Sequence, residues 1–174
     1  LPGEKVDCVA YACTSGTIAA GYNYVKKKVL KAKPNSKLTT PSTSSINALK
    51  KFKIRRIALF TPYPKKLNNE VVYFFEKNKF IVTSNSYFDI SSDIEIGKVN
   101  DQYLFKVLSK MKLNGAQALF ISCTALPALS ILEKLEKKLG VMVFSSNQTL
   151  IWDTLKSIGI KNNIRGFGKL LRSN

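Results

Sequence analysis

Histidine is absent from the 174 residues, and that absence excludes more chemistry than any other feature of the sequence. Without imidazole the chain holds no Ser-His-Asp triad, no Cys-His dyad and no His-ligated metal. Acid–base work near neutral pH then falls to Cys, Asp, Glu, Lys or Tyr. Cysteine is scarce. Cys8, Cys13 and Cys123 are an odd number, and no CxxC occurs, so neither a disulfide framework nor a zinc ribbon is supported. A reducing, cytoplasmic setting fits that usage best. Acidic residues are also few, 11 against 28 Lys+Arg, for a formal charge of +17. Taken alone, that imbalance points to nucleic acid, an anionic membrane or an anionic substrate. Yet only four of the basic residues are arginines (Arg55, Arg56, Arg165 and Arg172), and groove readers and phosphate clamps favour the planar arginine fork. Lysines spread over solvated helix faces are the plainer explanation, so neither a nucleic-acid nor a membrane partner is expected. The longest uncharged stretch, Leu113 to Leu132, is broken by Asn114, Gly115, Gln117, Ser122, Thr124 and Pro127 and is rejected as a membrane span.

What is present is a core. Hydrophobic residues make up 45% of the chain, enough for one ordinary domain or two small lobes sharing an interior, which rules out disorder. Val6 to Ala12 reads as a strand, followed by CTSG and a helical pattern carrying Ile18, Tyr22, Val25, Val29 and Leu30 on one side. The run Lys26–Lys28 on that helix reads as solvated surface. Lys33 to Thr43, rich in Pro, Ser and Thr, predicts a loop ending in a helix cap, with Ser44 to Phe52 as the next helix. Arg56 to Thr61 is a buried strand closed by the loop Pro62–Pro64. Asn68 to Asn78 predicts a helix with Val71, Val72, Phe74 and Phe75 inward, and Phe80 to Ser84 a strand. Asp101 is read as the cap of a helix through Leu113 that stops at Asn114-Gly115. Ala118 to Ser122 is a strand, Leu126 to Leu139 a helix, Val141 to Phe144 a strand, and Asn147 to Ile158 a helix with Asn147 as cap. Trp152 is read as a packing anchor, and the tail from Lys161 as either frayed or packed.

Strands alternating with helices of this length predict an α/β fold with parallel sheets flanked by helices. Within it, VDCVAYACTSGT and AQALFISCTALP are loosely alike, each an apolar strand, then Cys-Thr, then small residues opening a helix. That likeness predicts two pseudosymmetric lobes with the active site in the cleft between them. Residues 1–43 are the remainder of the first lobe, 44–145 the second lobe, and 146–174 a C-terminal helix and tail packing back on the first. The chain begins at Leu1-Pro2 with its first strand almost at once, so an N-terminal portion is expected to precede it.

Cys13 and Cys123 each fall where a strand hands over to a helix, the place where open α/β sheets bind ligands. Helix N–H groups there lower a thiol from its ordinary value of about 8.5 and bind carboxylates. Thr14, Ser15 and Thr124 add hydroxyl donors beside the thiols. Two opposed thiols can pass a proton to either face of a carbon acid, or one can attack while the other protonates. A free cysteine is more often a small buried hydrophobe, and Cys8, which has no such context, is read as core. Finding Cys-Thr at two strand ends favours function for the other two.

ACTSG at Ala12–Gly16, TPY at Thr61–Tyr63, SCTALP at Ser122–Pro127 and SSNQTLIWDTLKSIGI at Ser145–Ile160 occur in this order across nearly the whole chain. This ordered set resembles the aspartate/glutamate racemase superfamily, in its branch of maleate cis-trans isomerases, arylmalonate decarboxylases and ectoine-utilisation racemase-like proteins. The resemblance implies no cofactor, no metal, a small carboxylate substrate, a homo-oligomer, and one catalytic cysteine from each lobe. As an isomerase, Cys13 would attack the double bond and Cys123 would protonate the neighbouring carbon; as a racemase, the two would serve as opposed acid and base. Thr14, Ser15 and the backbone near Thr124 match the family's carboxylate-binding positions, and Tyr63 its hydrogen-bonding tyrosine. From the residues alone, Tyr63 is equally well a turn residue between two prolines.

Arylmalonate decarboxylases of this branch retain the second-lobe cysteine alone, so the pair favours isomerase or racemase. A departure lies near Ser92-Asp93, where the resemblance implies a substrate-binding amide. An acid facing the site there would repel a second carboxylate and favour a substrate with an amino group. Two other readings stand beside the isomerase. A malonate-type decarboxylase would use Cys123 to protonate an enediolate held by Thr14, Ser15 and Tyr63. A basic binding module would show steeply salt-dependent nucleic-acid binding that survives loss of both thiols.

Overall fold

Alternation of short apolar strands with amphipathic helices produces two parallel sheets in the computed structural model, which describes residues 5–161 and 163–173. The smaller sheet pairs β1 (Cys8–Ala10) with β2 (Lys37–Thr39). The larger has the order β4-β3-β5-β6, from β3 (Arg56–Thr61), β4 (Ile81–Tyr87), β5 (Ala118–Ile121) and β6 (Met142–Ser145), parallel at every pairing. Ile57 to Thr61 and all of β5 are buried, as parallel strands covered on both faces must be. Phe60, Phe75, Phe120, Phe144 and Trp152 are its largest wholly buried side chains. The α/β class and the parallel sheets flanked by helices agree with the expectation.

The helices are α1 (Thr14–Ala20), α2 (Tyr22–Ala32), α3 (Pro41–Lys51), α4 (Lys65–Lys77), α5 (Asp93–Gly97), α6 (Asp101–Leu108), α7 (Leu132–Leu139) and α8 (Ser146–Ser157). Several differ from the sequence reading for identifiable reasons. The single helix expected after CTSG is broken at Gly21, which takes φ 82° between α1 and α2. The loop expected over Lys33–Thr43 contains β2, whose pairing with β1 is invisible to local propensity. The helix after it begins at Pro41, capped by Thr40, three residues before Ser44. Likewise α4 starts at Lys65 rather than Asn68, and the short α5 has no counterpart in the sequence pattern. Asn100, not Asp101, caps α6 by accepting from the Tyr103 N–H at 3.0 Å, and the helix ends at Leu108 rather than Leu113. Ser145, not Asn147, caps α8, accepting from the Gln148 N–H at 3.2 Å. Cys8 is half-buried rather than core, with its sulfur 3.8 Å from Thr39 Oγ1.

Helix α8 joins the sheets. It leaves β6 and packs against α3, β2 and β1. Asp153 accepts from Ser44 Oγ at 2.9 Å and from Asn47 Nδ2 at 3.1 Å, tying α8 to α3. Trp152 is wholly buried as the anchor expected, with the ammonium groups of Lys51 and Lys156 over its ring. The tail is packed. Leu170 and Leu171 are buried, the Phe167 carbonyl accepts from Gln148 Nε2, and the Lys169 N–H donates to buried Glu136 at 3.0 Å. Burial pushes the Glu136 carboxyl up, and the backbone N–H groups of Val143 and Lys169 oppose that shift.

Candidate active site

In parallel sheets the carboxyl ends of the strands lie on one side, and there the backbone leaves the ladder and exposes polar groups. Ala12, Cys13, Thr14, Ser15, Tyr63, Asp93, Cys123, Thr124, Ala125 and Asn147 line one cavity of about 330 Å³ at these ends. All six residues singled out from the sequence, and Asp93, come together. They come from the ends of β1, β3 and β5 and the segment after β4, and Asn147 joins them from the end of β6.

Cys13 is the N-cap of α1. Its backbone is extended, φ −136°, and its sulfur accepts from the Gly16 N–H at 3.3 Å. A Cβ at position 16 would stand 2.7 Å from that sulfur, so glycine lets sulfur and amide meet. The Thr14 hydroxyl is buried and donates to Ser146 Oγ at 3.0 Å. Thr14 lines the cavity while its hydroxyl proton is given to Ser146. Ser15 keeps its hydroxyl toward Tyr63.

Cys123 has the same Cys-Thr dipeptide and a different setting. It lies at φ 100°, a backbone region that costs a side-chain-bearing residue about 1–3 kcal/mol and persists where its surroundings over-determine it. Here the Cys123 N–H donates to Ser146 Oγ at 3.1 Å. No helix opens behind it: a 3₁₀ turn comes at Leu129–Ile131 and α7 at Leu132, so the helix expected from Leu126 is shorter and the likeness to the first unit stops at the dipeptide. The thiol shift expected from a helix terminus is correspondingly reversed. Burial pushes the Cys123 thiol up, and the Tyr63 hydroxyl and the backbone N–H groups of Ala125 and Leu126 only partly oppose it.

Tyr63 is 4% exposed, in the turn between Pro62 and Pro64, and it lines the cavity. Thr61 Oγ1 donates to Asn68 Oδ1 at 2.9 Å, fixing the end of β3 against α4 and aiming the turn that carries Tyr63. Its hydroxyl meets the Cys123 thiol, and burial pushes it well above the ordinary phenol range, so it stays protonated. Ser122 Oγ beside it is wholly buried.

Sequence reasoning misses two residues of α8 as members of the site. Ser146 accepts from both Thr14 and the Cys123 N–H, and Asn147 Nδ2 donates to the Thr124 carbonyl at 2.9 Å. Thr124 in turn donates its hydroxyl to the Ala12 carbonyl at 2.9 Å. The two strand ends are thus cross-tied by hydrogen bonds between residues 23 to 132 positions apart in the sequence. No sequence signal distinguishes Ser146 from the other hydroxyl residues of the chain. Asn147 is visible as a polar residue at a helix start, where capping is by itself a sufficient role.

Among the described residues no cluster of His, Cys, Asp or Glu is placed to hold a metal ion, and no helix is long and apolar enough to cross a membrane.

A family model described as arylmalonate decarboxylase matches residues 3–171. A maleate isomerase of Geobacillus stearothermophilus is 26% identical over 179 residues, 98% of this chain and 71% of that protein. An arylmalonate decarboxylase of Bordetella bronchiseptica is 27% identical over 135 residues, 76% of this chain and 56% of that protein. The fold matches a solved Nocardia farcinica maleate cis-trans isomerase, a cysteine-to-serine mutant with a covalently bound succinylcysteine intermediate, with TM-score 0.90 at 21% identity. That match covers 97% of this chain and 72% of the other.

Proposed function

The chain belongs to the arylmalonate decarboxylase family, and from that premise we propose that it is a cofactor-independent isomerase of a small carboxylic acid, with Cys13 and Cys123 as its working groups. One observation carries the reading. Both thiols line a single cavity, and they sit in unlike settings: the Cys13 sulfur is half-buried at a helix N-terminus, whereas burial beside Tyr63 keeps the Cys123 thiol protonated despite backbone N–H groups aimed at it. One sulfur is placed to attack, the other to give a proton.

With an alkene diacid such as maleate, Cys13 would form a bond to one alkene carbon, and the π electrons would move onto the other carbon and its carboxylate. Cys123 would deliver its proton to that second carbon. The former double bond would then rotate, Cys123 would take the proton back, and the carbon–sulfur bond would break to release the trans acid. Nothing is oxidised or reduced. With a substrate bearing a hydrogen on its α-carbon, one thiolate would remove that proton while the opposite thiol protonated the other face. The Thr14 and Thr124 hydroxyls bond Ser146 and Ala12 within the frame, and the Ser15 and Tyr63 hydroxyls, which face each other at the cavity, are the pair that a substrate carboxylate would engage. The nature of the relatives supports the thiol chemistry: several are maleate isomerases, and one solved neighbour carries a succinylcysteine.

Proton NMR in D2O with maleate, amino acids and arylmalonates tests the reading. Fumarate identifies cis-trans isomerisation, deuterium at an α-carbon racemisation, and loss of a carboxyl group decarboxylation. Cys13→Ala and Cys123→Ala should each lose about 10²–10⁴-fold in kcat. A Cys13→Ala variant that keeps the wild-type rate would make the enzyme a decarboxylase relying on Cys123.

A further inference from the structure

We infer that the cavity selects a small carboxylic acid that also carries an ammonium group, with Asp93 as the residue that receives it. The chemistry at the thiols rests on the isomerase reading above; the charge selection rests on separate observations. Among the described residues no Lys or Arg lines the cavity, whereas one carboxylate, Asp93, does. The surface is strongly basic and the cavity wall is not. The neutral donors of the lining can hold one carboxylate, but a second one placed beside Asp93 would meet a like charge with no cation next to it among the described residues.

Asp93 is held in place by its loop. The Phe88 N–H donates to the Thr61 carbonyl at 3.2 Å and the Ile90 N–H to the Pro62 carbonyl at 2.8 Å, so the segment after β4 runs beside the turn that carries Tyr63. Ser92 then caps α5, accepting from the Glu95 N–H at 3.4 Å, which starts the helix with Asp93 facing the cavity. The Asp93 carboxylate makes no hydrogen bond or ion pair among the described residues, so its acceptor oxygens are open to a ligand. Its charge also reaches Cys123, placing it within electrostatic range of the reacting centre. A dicarboxylate bound here sets a like charge against Asp93, and a zwitterion sets an opposite one.

Protection of Cys13 from iodoacetamide, read by peptide mass spectrometry on the full chain, measures binding without requiring turnover. The probes are maleate and three zwitterionic acids, L-alanine, β-alanine and L-2,4-diaminobutyrate. Asp93 is exposed at the cavity mouth, so the effect is that of a solvated charge: in the wild type at least one zwitterion should protect at a concentration about tenfold below that for maleate, and Asp93→Asn should shrink that ratio about fivefold. Three results overturn the inference: maleate protecting as well as every zwitterion, no probe protecting at all, or a ratio that Asp93→Asn leaves unchanged. Turnover of the same acids in D2O reads the isomerase proposal separately. Zwitterion-selective protection without turnover upholds charge selection and removes the isomerase; efficient maleate turnover with weak zwitterion protection does the opposite.

Discussion

Cys13-Thr14 and Cys123-Thr124 are one dipeptide at two strand ends, and the protein makes different things of them. At the first, an extended backbone caps a helix and the sulfur receives an amide hydrogen bond. At the second, the backbone stands at φ 100°, no helix opens directly behind it, and the sulfur is buried against a tyrosine. The dipeptide does not decide the chemistry. The setting does: both sulfurs meet backbone amides, Gly16 on the first and Ala125 and Leu126 on the second, but Cys13 is half-buried whereas Cys123 is buried against Tyr63. Ser146 meets both ends at once, so two unlike environments are held in one frame.

That contrast can be broken from either side. Tyr63→Phe removes the hydroxyl that meets Cys123, and a hydrogen bond to a developing thiolate is worth about 1.5–3 kcal/mol, so kcat should fall about 10–100-fold with the fold intact. Its circular dichroism and urea midpoint check the second half of that statement. Ser146→Ala strands the Cys123 N–H, and should cost about 1–3 kcal/mol of stability by urea unfolding and lower the activity that depends on both thiols. Gly16→Ala touches the Cys13 end alone. It displaces the sulfur at the far end of a short side chain while improving helix propensity, so kcat should drop about tenfold with stability changed by less than about 1 kcal/mol.

The smallest effect is in the pH dependence of stability. The folded chain keeps a proton on Cys123 that the unfolded chain gives up above the ordinary thiol range, about 8.5. Stability from this group is therefore complete below that range and is lost as pH rises through the higher folded value. Tyr63 adds a further loss above the ordinary phenol range, about 10. The urea midpoint should decline from about pH 9 upward, and Cys123→Ala should flatten the first part of that decline.

Much of this arrangement is legible in the sequence where it depends on local pattern. Strands β3, β5 and β6 and their order with the helices come from apolar runs and periodicity, and Cys13, Thr14, Ser15, Tyr63, Cys123 and Thr124 meet at one cavity. The parts that are not legible depend on partners far along the chain. Strand β2 is a strand because β1 lies beside it. Asn147 bonds across to Thr124 instead of capping its helix, because Ser145 already fills that role. The Thr14 and Thr124 hydroxyls serve the frame, and the shift at Cys123 comes from burial that no dipeptide announces.

The central claim is that burial beside Tyr63 keeps Cys123 a protonated thiol while it shares a cavity with Cys13. The direct measurement is the pH profile of Cys123 alkylation in a Cys8→Ser, Cys13→Ser variant, against free cysteine under the same conditions. The account predicts a midpoint above that of free cysteine, rising further when Tyr63→Phe is added. A midpoint at or below that of free cysteine would contradict it.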